Sequence, residues 1–261
     1  MYRLYSELAQ NRSALLTLVQ FNLKSTVSAT RLGFVWWILD PLVQMAIYYF
    51  IVKIIFERGE ENYHLFLLSG ILAWQTFAKA LRQSSRSIST NRALIRQIGI
   101  PIATITAIPV FVQIVYAVIG LAIVMLWRHG ALGLHSLAVI PLLLLIALFS
   151  YGLGLLLSVC NAYYKDTDAL LGYVLRLGFF LTPVLYPVSR ILEAPAVPEY
   201  AKTLYMANPM AWIVTRLRDL VLTGTTFEWG TFAGLLIIAL SIVQLGLYCV
   251  RRQSTKIARM L

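Results

Sequence analysis

The sequence predicts an all-α integral membrane protein with six transmembrane helices, and three observations carry that expectation. Hydrophobic residues make up 59% of the 261 and charged residues only 13%, far from the roughly 45–50% and 25% of soluble domains. Mean hydropathy is +0.76, so most residues prefer hydrocarbon to water. Six apolar runs, at 34–56, 65–81, 102–127, 137–162, 169–188 and 231–250, approach or exceed the ~20 residues that cross a bilayer as helix. The second run is the weakest.

A formal charge of +11 in a soluble chain suggests nucleic acid, but here the basic residues flank the apolar runs and read as topology signals, with no nucleic-acid partner expected. One side receives Arg3, Arg12, Lys24, Arg31, Arg82, Arg86, Arg92, Arg96, Lys165, Arg251, Arg252, Lys256 and Arg259. The other receives Arg58 and Arg128 in short loops, and Arg190, Lys202, Arg216 and Arg218 in a long segment that counts less; it also holds Glu57, Glu60 and Glu61. Both termini are therefore expected in the cytoplasm. Ala14–Leu23 followed by Val27-Ser28-Ala29 resembles a leader with its cleavage site, yet Gln20, Asn22 and Lys24 interrupt it, so no removed leader is expected.

No internal repeat or low-complexity linker divides the chain, which reads as one domain over 1–261. Residues 1–31 form a cytoplasmic interfacial segment, 34–188 carry spans one to five, 189–230 an outer segment, 231–250 span six, and 251–261 a cytoplasmic tail. Within 13–31, Thr17, Gln20, Lys24, Ser28 and Arg31 follow helical spacing while Leu15, Val19 and Leu23 point the other way, predicting an amphipathic helix in the membrane surface. Between spans two and three, Ser87 or Ser89 can cap a short basic helix that carries Arg92 and Arg96 on one face and ends at Gly99 and Pro101. The outer segment, with Pro195, Pro198 and Asn208-Pro209, is too long for a simple turn; its stretch 210–222 is partly apolar and predicts a structured, partly embedded hairpin.

Catalytic chemistry is sparse. No G-x-S-x-G, H-E-x-x-H or G-x-x-x-x-G-K-[ST] pattern is present, so neither a hydrolase elbow, a zinc site nor a phosphate loop is indicated. Asp166 and Asp168 form a D-x-D, a pattern some glycosyltransferases use, but in a six-residue connection it reads as a polar loop with a helix N-cap. Cys160 and Cys249 lie inside apolar runs away from His64, His129 and His135, and read as small core residues.

Charges inside the spans say more, because ionisable groups in hydrocarbon are costly and face a partner or a cavity. Asp40, Lys79 and Arg176 each lie six or seven residues from the cytoplasmic end of their span, roughly 10 Å deep at 1.5 Å per residue. Asp40 is expected to pair with Lys79, since adjacent antiparallel spans meet most readily, leaving Arg176 near the cytoplasmic mouth to meet phosphate or to snorkel to headgroups. Aromatics concentrate in the same spans: Trp36, Trp37, Tyr48, Tyr49 and Phe50 in the first, Tyr173, Phe179, Phe180 and Tyr186 in the fifth. Interface anchoring accounts for those near the ends; the rest suit the apolar faces of sugar rings.

In chain order the sequence carries Leu32-Gly33-Phe34-Val35-Trp36-Trp37 with Asp40-Pro41, Leu68-Ser69-Gly70 with Trp74, Asn91 with Leu94 and Ile95 before Pro101, Asn161 with Lys165-Asp166, Pro183 with Tyr186-Pro187, and Asn208-Pro209 before Arg216 or Arg218. This ordered set resembles the permease subunits of type 2 ABC exporters that move polysaccharides such as O-antigen, capsule and teichoic acid. Lys165 departs from the Arg often found there, keeping the charge but not the fork.

The resemblance implies a homodimer joined by two separate ATPase subunits, which bind ATP and Mg while this chain binds no cofactor. It implies a place in the bacterial inner membrane and a lipid-linked glycan as cargo, O-antigen before capsule or teichoic acid. It implies that Asn91, Arg92, Leu94, Ile95 and Arg96 contact the ATPase. It further implies that spans one and five, with Trp36, Trp37, Tyr48, Tyr49, Tyr173, Phe179, Phe180 and Tyr186, line the channel, and that the outer hairpin is a gate. A drug or small-molecule exporter of the same superfamily, and more distantly a membrane-embedded glycosyl or acyl transferase, are the competing readings.

Overall fold

The computed structural model describes residues 12–28, 31–59, 61–128, 137–224 and 227–260. Arg3, Glu60, His129 and His135 lie outside these, as do all of residues 1–11, expected to lead into the interfacial helix. The described residues are helical and contain no strand. Helix α1 spans Arg12–Ser28, α2 Val35–Tyr49 with a wider-turned continuation over Phe50–Ile55, α3 Tyr63–Ser85 and α4 Ser87–Thr90. After a wide turn at Leu94–Ile98 come α5 (Ile102–Trp127), α6 (Val139–Tyr163) and α7 (Thr167–Phe180), then α8 (Ser189–Leu192), α9 (Glu199–Met206), α10 (Pro209–Leu222) and α11 (Trp229–Met260).

Among the described residues, four stretches are long and apolar enough to cross a membrane: Val35–Ile55, Ile102–Trp127, Val139–Tyr163 and Trp229–Ile257. The other two runs of the sequence behave differently, each for a physical reason. Helix α3 is long, at 23 residues, but it is enclosed by protein: Leu67, Ser69 and Ile71 have no exposed surface. An enclosed helix answers to its neighbours and not to lipid, so it tolerates Gln75, Thr76, Lys79 and Arg82, which dilute its hydropathy. Helix α7 has only 14 residues, about 21 Å of rise against a hydrocarbon core of about 30 Å. The expected span over 169–188 is thus broken after Phe180, where Pro183 and Pro187 cannot continue a helix and the chain turns, with Val184 N donating to Thr182 O and Tyr186 Oη to Phe180 O.

Helix α3 is the hub. It packs against α5, α6, α7 and α10, and the main core gathers Leu67, Trp74, Ile146, Phe179 and Leu217 around it. A second core unites α1 with α5: Leu15 and Val19 join Ala107 and Ile108, while Leu16 and Phe21 on the opposite side of α1 stay exposed. Apolar side chains on both faces suit a helix lying between protein and membrane. The described residues between 189 and 224 include helices α8, α9 and α10, of which α10 is deeply packed through Ile213, Val214 and Leu217.

The cysteines depart from expectation. Cys160 is exposed and Cys249 half-buried, because each sits on the outward side of a spanning helix where a small apolar thiol meets hydrocarbon as readily as core.

Helices α6 and α11 approach closely at small residues, as membrane helices do where van der Waals packing is the main attraction. A Cβ on Gly152 would stand 2.8 Å from the backbone N of Val243, and one on Gly246 would stand 2.9 Å from the carbonyl oxygen of Gly152. Gly234 on the same helix has nothing within 4 Å of that position. Gly152→Leu should therefore destabilise the purified protein by about 1–3 kcal/mol, visible as a lower thermal unfolding midpoint in detergent, whereas Gly234→Leu should leave the midpoint unchanged.

Candidate functional site

Lys79 and Asp40 meet in an ion pair, Nζ to Oδ2 at 2.5 Å, joining α2 to α3 at the level where the sequence places both charges. Lys79 Nζ also donates to Gln75 Oε1 at 3.0 Å, and Gln75 Nε2 donates to Gln44 Oε1, so a polar ladder of four side chains fastens the two helices. Lys79 and Asp40 keep 43% and 52% of their side-chain surface exposed, because they border a cavity.

That cavity, ≈ 560 Å³, is walled by α2, α3 and α7. Its lining includes Asp40, Lys79, Arg82 and Arg176 among the charges and Tyr48, Trp74, Phe179 and Phe180 among the aromatics. All three intramembrane charges singled out from the sequence thus face one space. Arg176 has no carboxylate within ion-pair distance among the described residues; its guanidinium carbon lies 5.7 Å from the Tyr173 ring centroid. Tyr48 stacks on Phe179 at 5.3 Å, and Phe179 meets Phe180 edge-on at 5.2 Å, giving the wall a continuous aromatic surface.

The other aromatics stand elsewhere. Trp37 packs on Tyr116 of α5 at 4.1 Å, and both Trp36 and Trp37 line a separate pocket on the far side of the ion pair. Tyr49 turns to Tyr63, Tyr173 is exposed on the outside of α7, and Tyr186 sits in the turn beyond it. Trp74, given only as part of a motif, is in the cavity wall: a Cβ on Gly178 would lie 2.7 Å from its ring, so the glycine lets the indole pack flat against α7.

Where α3 ends and α7 begins, Asp168 is held by two arginines, one in α3 and one at its C-cap. Arg86 grips both carboxylate oxygens and Arg82 Nε approaches at 3.4 Å. The hydrogen bonds from Arg86 pull the Asp168 carboxyl below its ordinary range and push the guanidinium above its own. The D-x-D is therefore more than a polar loop: Asp166 precedes α7 without a side-chain cap, and Asp168 locks the start of α7 to the end of α3. Arg82 and Arg86, four residues apart on one helical face, were the signal available in the sequence.

The segment expected to be one short helix is two pieces. Ser87 is buried and hydrogen-bonds Thr106 Oγ1 at 2.8 Å, so it does not cap α4, and Ser89 bonds back to Arg86 O. The helix breaks at Asn91, whose side-chain amide donates to Ser87 O at 2.9 Å. Gly99, at φ +68°, ends the wide turn that follows. Arg92 and Arg96 are exposed, Leu94 and Ile95 half-buried, and Ile95 packs into the chain's own second core. Asn161 Nδ2 donates to Ser85 O at 3.2 Å, tying α6 to the same corner.

The opposite end of α3 and α7 holds the residue that the sequence understated. Arg218 is 5% exposed; its Nε donates to Phe66 O at 3.3 Å and its Nη2 to Pro183 O at 2.8 Å and Val184 O at 3.1 Å. Its guanidinium carbon lies 3.5 Å over the Phe66 ring. The two bonds from Nη2 satisfy carbonyls of Pro183 and Val184, freed where α7 breaks. A Cβ on Gly70 would come within 2.7 Å of Nη2, which explains a glycine in Leu68-Ser69-Gly70. Asn208 caps α10 through Met210 N and reaches Thr182 Oγ1 at 3.1 Å, while Arg216 pairs with Asp219 and Glu228.

Helices that include four long apolar stretches, with charges and aromatics gathered in one cavity among the described residues, and a sequence with no phosphate loop, have the makings of a transport subunit. The chain belongs to the ABC-2 type transporter family, whose model matches residues 13–222. It is 30% identical over 219 residues, 82% of each chain, to the O-antigen export system permease protein RfbA of Myxococcus xanthus. A protein of the same description from Klebsiella pneumoniae is 27% identical over 239 residues, 90% of each chain. The polysialic acid transport protein KpsM of Escherichia coli is 24% identical over 204 residues, 76% of this chain and 77% of its own.

The Asp168 clamp has a definite pH signature. A carboxyl with a lowered folded-state value contributes stability that is fully present above its unfolded value, about 3.9, and is lost as pH falls through the folded value. Thermal unfolding should therefore show Asp168→Asn less stable than wild type by a constant amount from pH 8 to about pH 5, with the difference shrinking only below about pH 4, as pH falls toward the lowered folded value.

Proposed function

We propose that this chain is the permease subunit of an ATP-driven exporter that carries lipid-linked polysaccharide, O-antigen foremost, from the cytoplasm across a bacterial inner membrane. The observation that carries the reading is the similarity, over most of both chains, to permeases named for O-antigen export. The aromatic cavity with its unpaired-by-carboxylate Arg176 supports it. Kinship with a polysialic acid transporter favours a capsular polymer as the second reading.

The proposed assembly is a homodimer with two nucleotide-binding subunits, which hydrolyse ATP with Mg while this chain supplies the path. In it the chain crosses the membrane six times, α7 and the turn beyond it completing the fifth crossing beneath the α8–α10 gate, with both termini cytoplasmic. The surface at Arg92 and Arg96 suits contact with the ATPase. Movement there reaches the cavity through Arg86 and Asp168, because the clamp joins the corner beside α4 to the helix that bears Arg176.

In this mechanism the guanidinium of Arg176 takes the diphosphate of the incoming glycan lipid in bidentate contact, and Tyr48, Phe179 and Phe180 carry sugar rings on their faces. Deleting the gene should trap undecorated polymer in the cytoplasm; normal surface polymer in the deletion strain contradicts the export reading. In the complemented strain, Arg176→Lys should cut surface polymer by about tenfold, the worth of one charge-assisted contact. Full export by Arg176→Ala removes the phosphate role.

A further inference from the structure

Arg176 is not the one cation in excess at the aromatic cavity. Arg82 lines the same space, about one turn of α3 beyond Lys79 in the direction of Asp168. The charges around it are matched to very different degrees. Asp40 and Lys79 cancel as a pair, and Asp40 is the single carboxylate of the lining among the described residues. Asp168 is claimed by Arg86, which bonds both of its oxygens. Arg82 reaches that carboxylate only from Nε at 3.4 Å and Nη2 at 3.5 Å, the outer limit of a hydrogen bond. Its Nη1 has no hydrogen-bond partner among the described residues, and 45% of its side-chain surface is open.

Removing the matched pairs leaves two cations, Arg82 from α3 and Arg176 from α7, bordering one cavity. The Cβ position of Gly172 lies 3.6 Å from Arg82 Nη2, and Gly172 precedes Arg176 by four residues, one helical turn and about 6 Å of rise. Residues four apart share a face, so Arg176 extends from the side of α7 that Arg82 covers, and glycine at 172 places no side chain between them. Uncompensated cations in a cleft with apolar walls concentrate anions, and their number selects the kind. One phosphate joining two alcohols carries a single negative charge. A diphosphate joining two alcohols carries two, on adjacent phosphorus centres, and so offers one phosphate to each guanidinium fork.

We propose that Arg82 is a specificity-determining residue, taking the second phosphate of a diphosphate-linked glycan lipid whose first phosphate is held by Arg176, and so making the cavity prefer that linkage to a single phosphodiester. The inference rests on the export reading and on the phosphate role of Arg176 given above, and adds to them a residue and a selectivity. Asp168 positions Arg82 without neutralising it, because Arg86 holds the carboxylate more closely.

Equilibrium binding to the full chain in lipid nanodiscs tests this with two probes: a farnesyl chain joined to glucose through a diphosphate, and the same two groups joined through one phosphate. The readout is the ratio of the two affinities, which a partly inactive preparation leaves unaltered. Wild type should bind the diphosphate probe about tenfold more tightly, as expected for one further charge-assisted contact. Arg82→Gln should bring the ratio close to one by weakening the diphosphate probe alone, Arg82→Lys should restore part of the preference, and Arg176→Gln should weaken both probes. An undiminished ratio in Arg82→Gln, or no preference in wild type, overturns the role of Arg82 and leaves the export reading to the deletion strain. Binding of neither probe by wild type overturns the two-cation site together with the phosphate role of Arg176.

Discussion

The ion pair between Asp40 and Lys79 is the constraint on which the functional half of the molecule depends. Helix α2 is the least enclosed of the spanning helices: Pro41 is its one buried residue, while Trp36, Val43 and Ile47 are exposed. In a membrane, apolar contact with protein has little advantage over contact with lipid, so directional polar bonds decide where such a helix rests. The ladder from Asp40 through Lys79 and Gln75 to Gln44 supplies those bonds at one height. A surface pair of this kind in water contributes little, but between apolar helices of a membrane transporter the alternative is a separated charge in a poorly solvating medium. Both the aromatic cavity and the pocket behind it share this pair as a wall.

Helix α7 is fixed by different means at its two ends. The Asp168 clamp ties its start to α3, and the carbonyls at its broken end converge on Arg218. Between these anchors α7 presents Arg176, Phe179 and Phe180 to the cavity while Leu170, Tyr173, Val174 and Leu177 remain exposed on its other face. A short helix held by charge at both ends and lightly packed between them can tilt as a unit. That is the property wanted of a wall that must admit a large polymer, and it follows from polar anchoring more than from apolar packing.

The sequence was informative where a residue's meaning is set by its own surroundings in the chain. Long apolar runs announced α5, α6 and α11, and the common depth of Asp40, Lys79 and Arg176 announced a shared space, because depth follows from helical rise alone. Direction around the helix axis was less legible: a turn of 100° per residue sends Trp37 to Tyr116 and Tyr49 to Tyr63 while Tyr48 lines the cavity, and spacing alone does not tell these neighbours apart. Arg218 was hidden for a related reason, since its partners are the carbonyls of Phe66, Pro183 and Val184, and backbone oxygens leave no trace in residue identity. The break after Phe180 had its signal in Pro183 and Pro187, which a hydropathy window averages away.

The central claim is that Asp40 and Lys79 act on each other, and a double-mutant cycle read by thermal unfolding in detergent measures that directly. Asp40→Asn and Lys79→Met should each destabilise the protein, and the double variant should lose less than the sum of the two, leaving a coupling of about 1–3 kcal/mol. Exchanging the charges, Asp40→Lys with Lys79→Asp, should recover much of the loss. Additive single effects with no recovery on exchange would contradict the claim, leaving α2 held by packing alone.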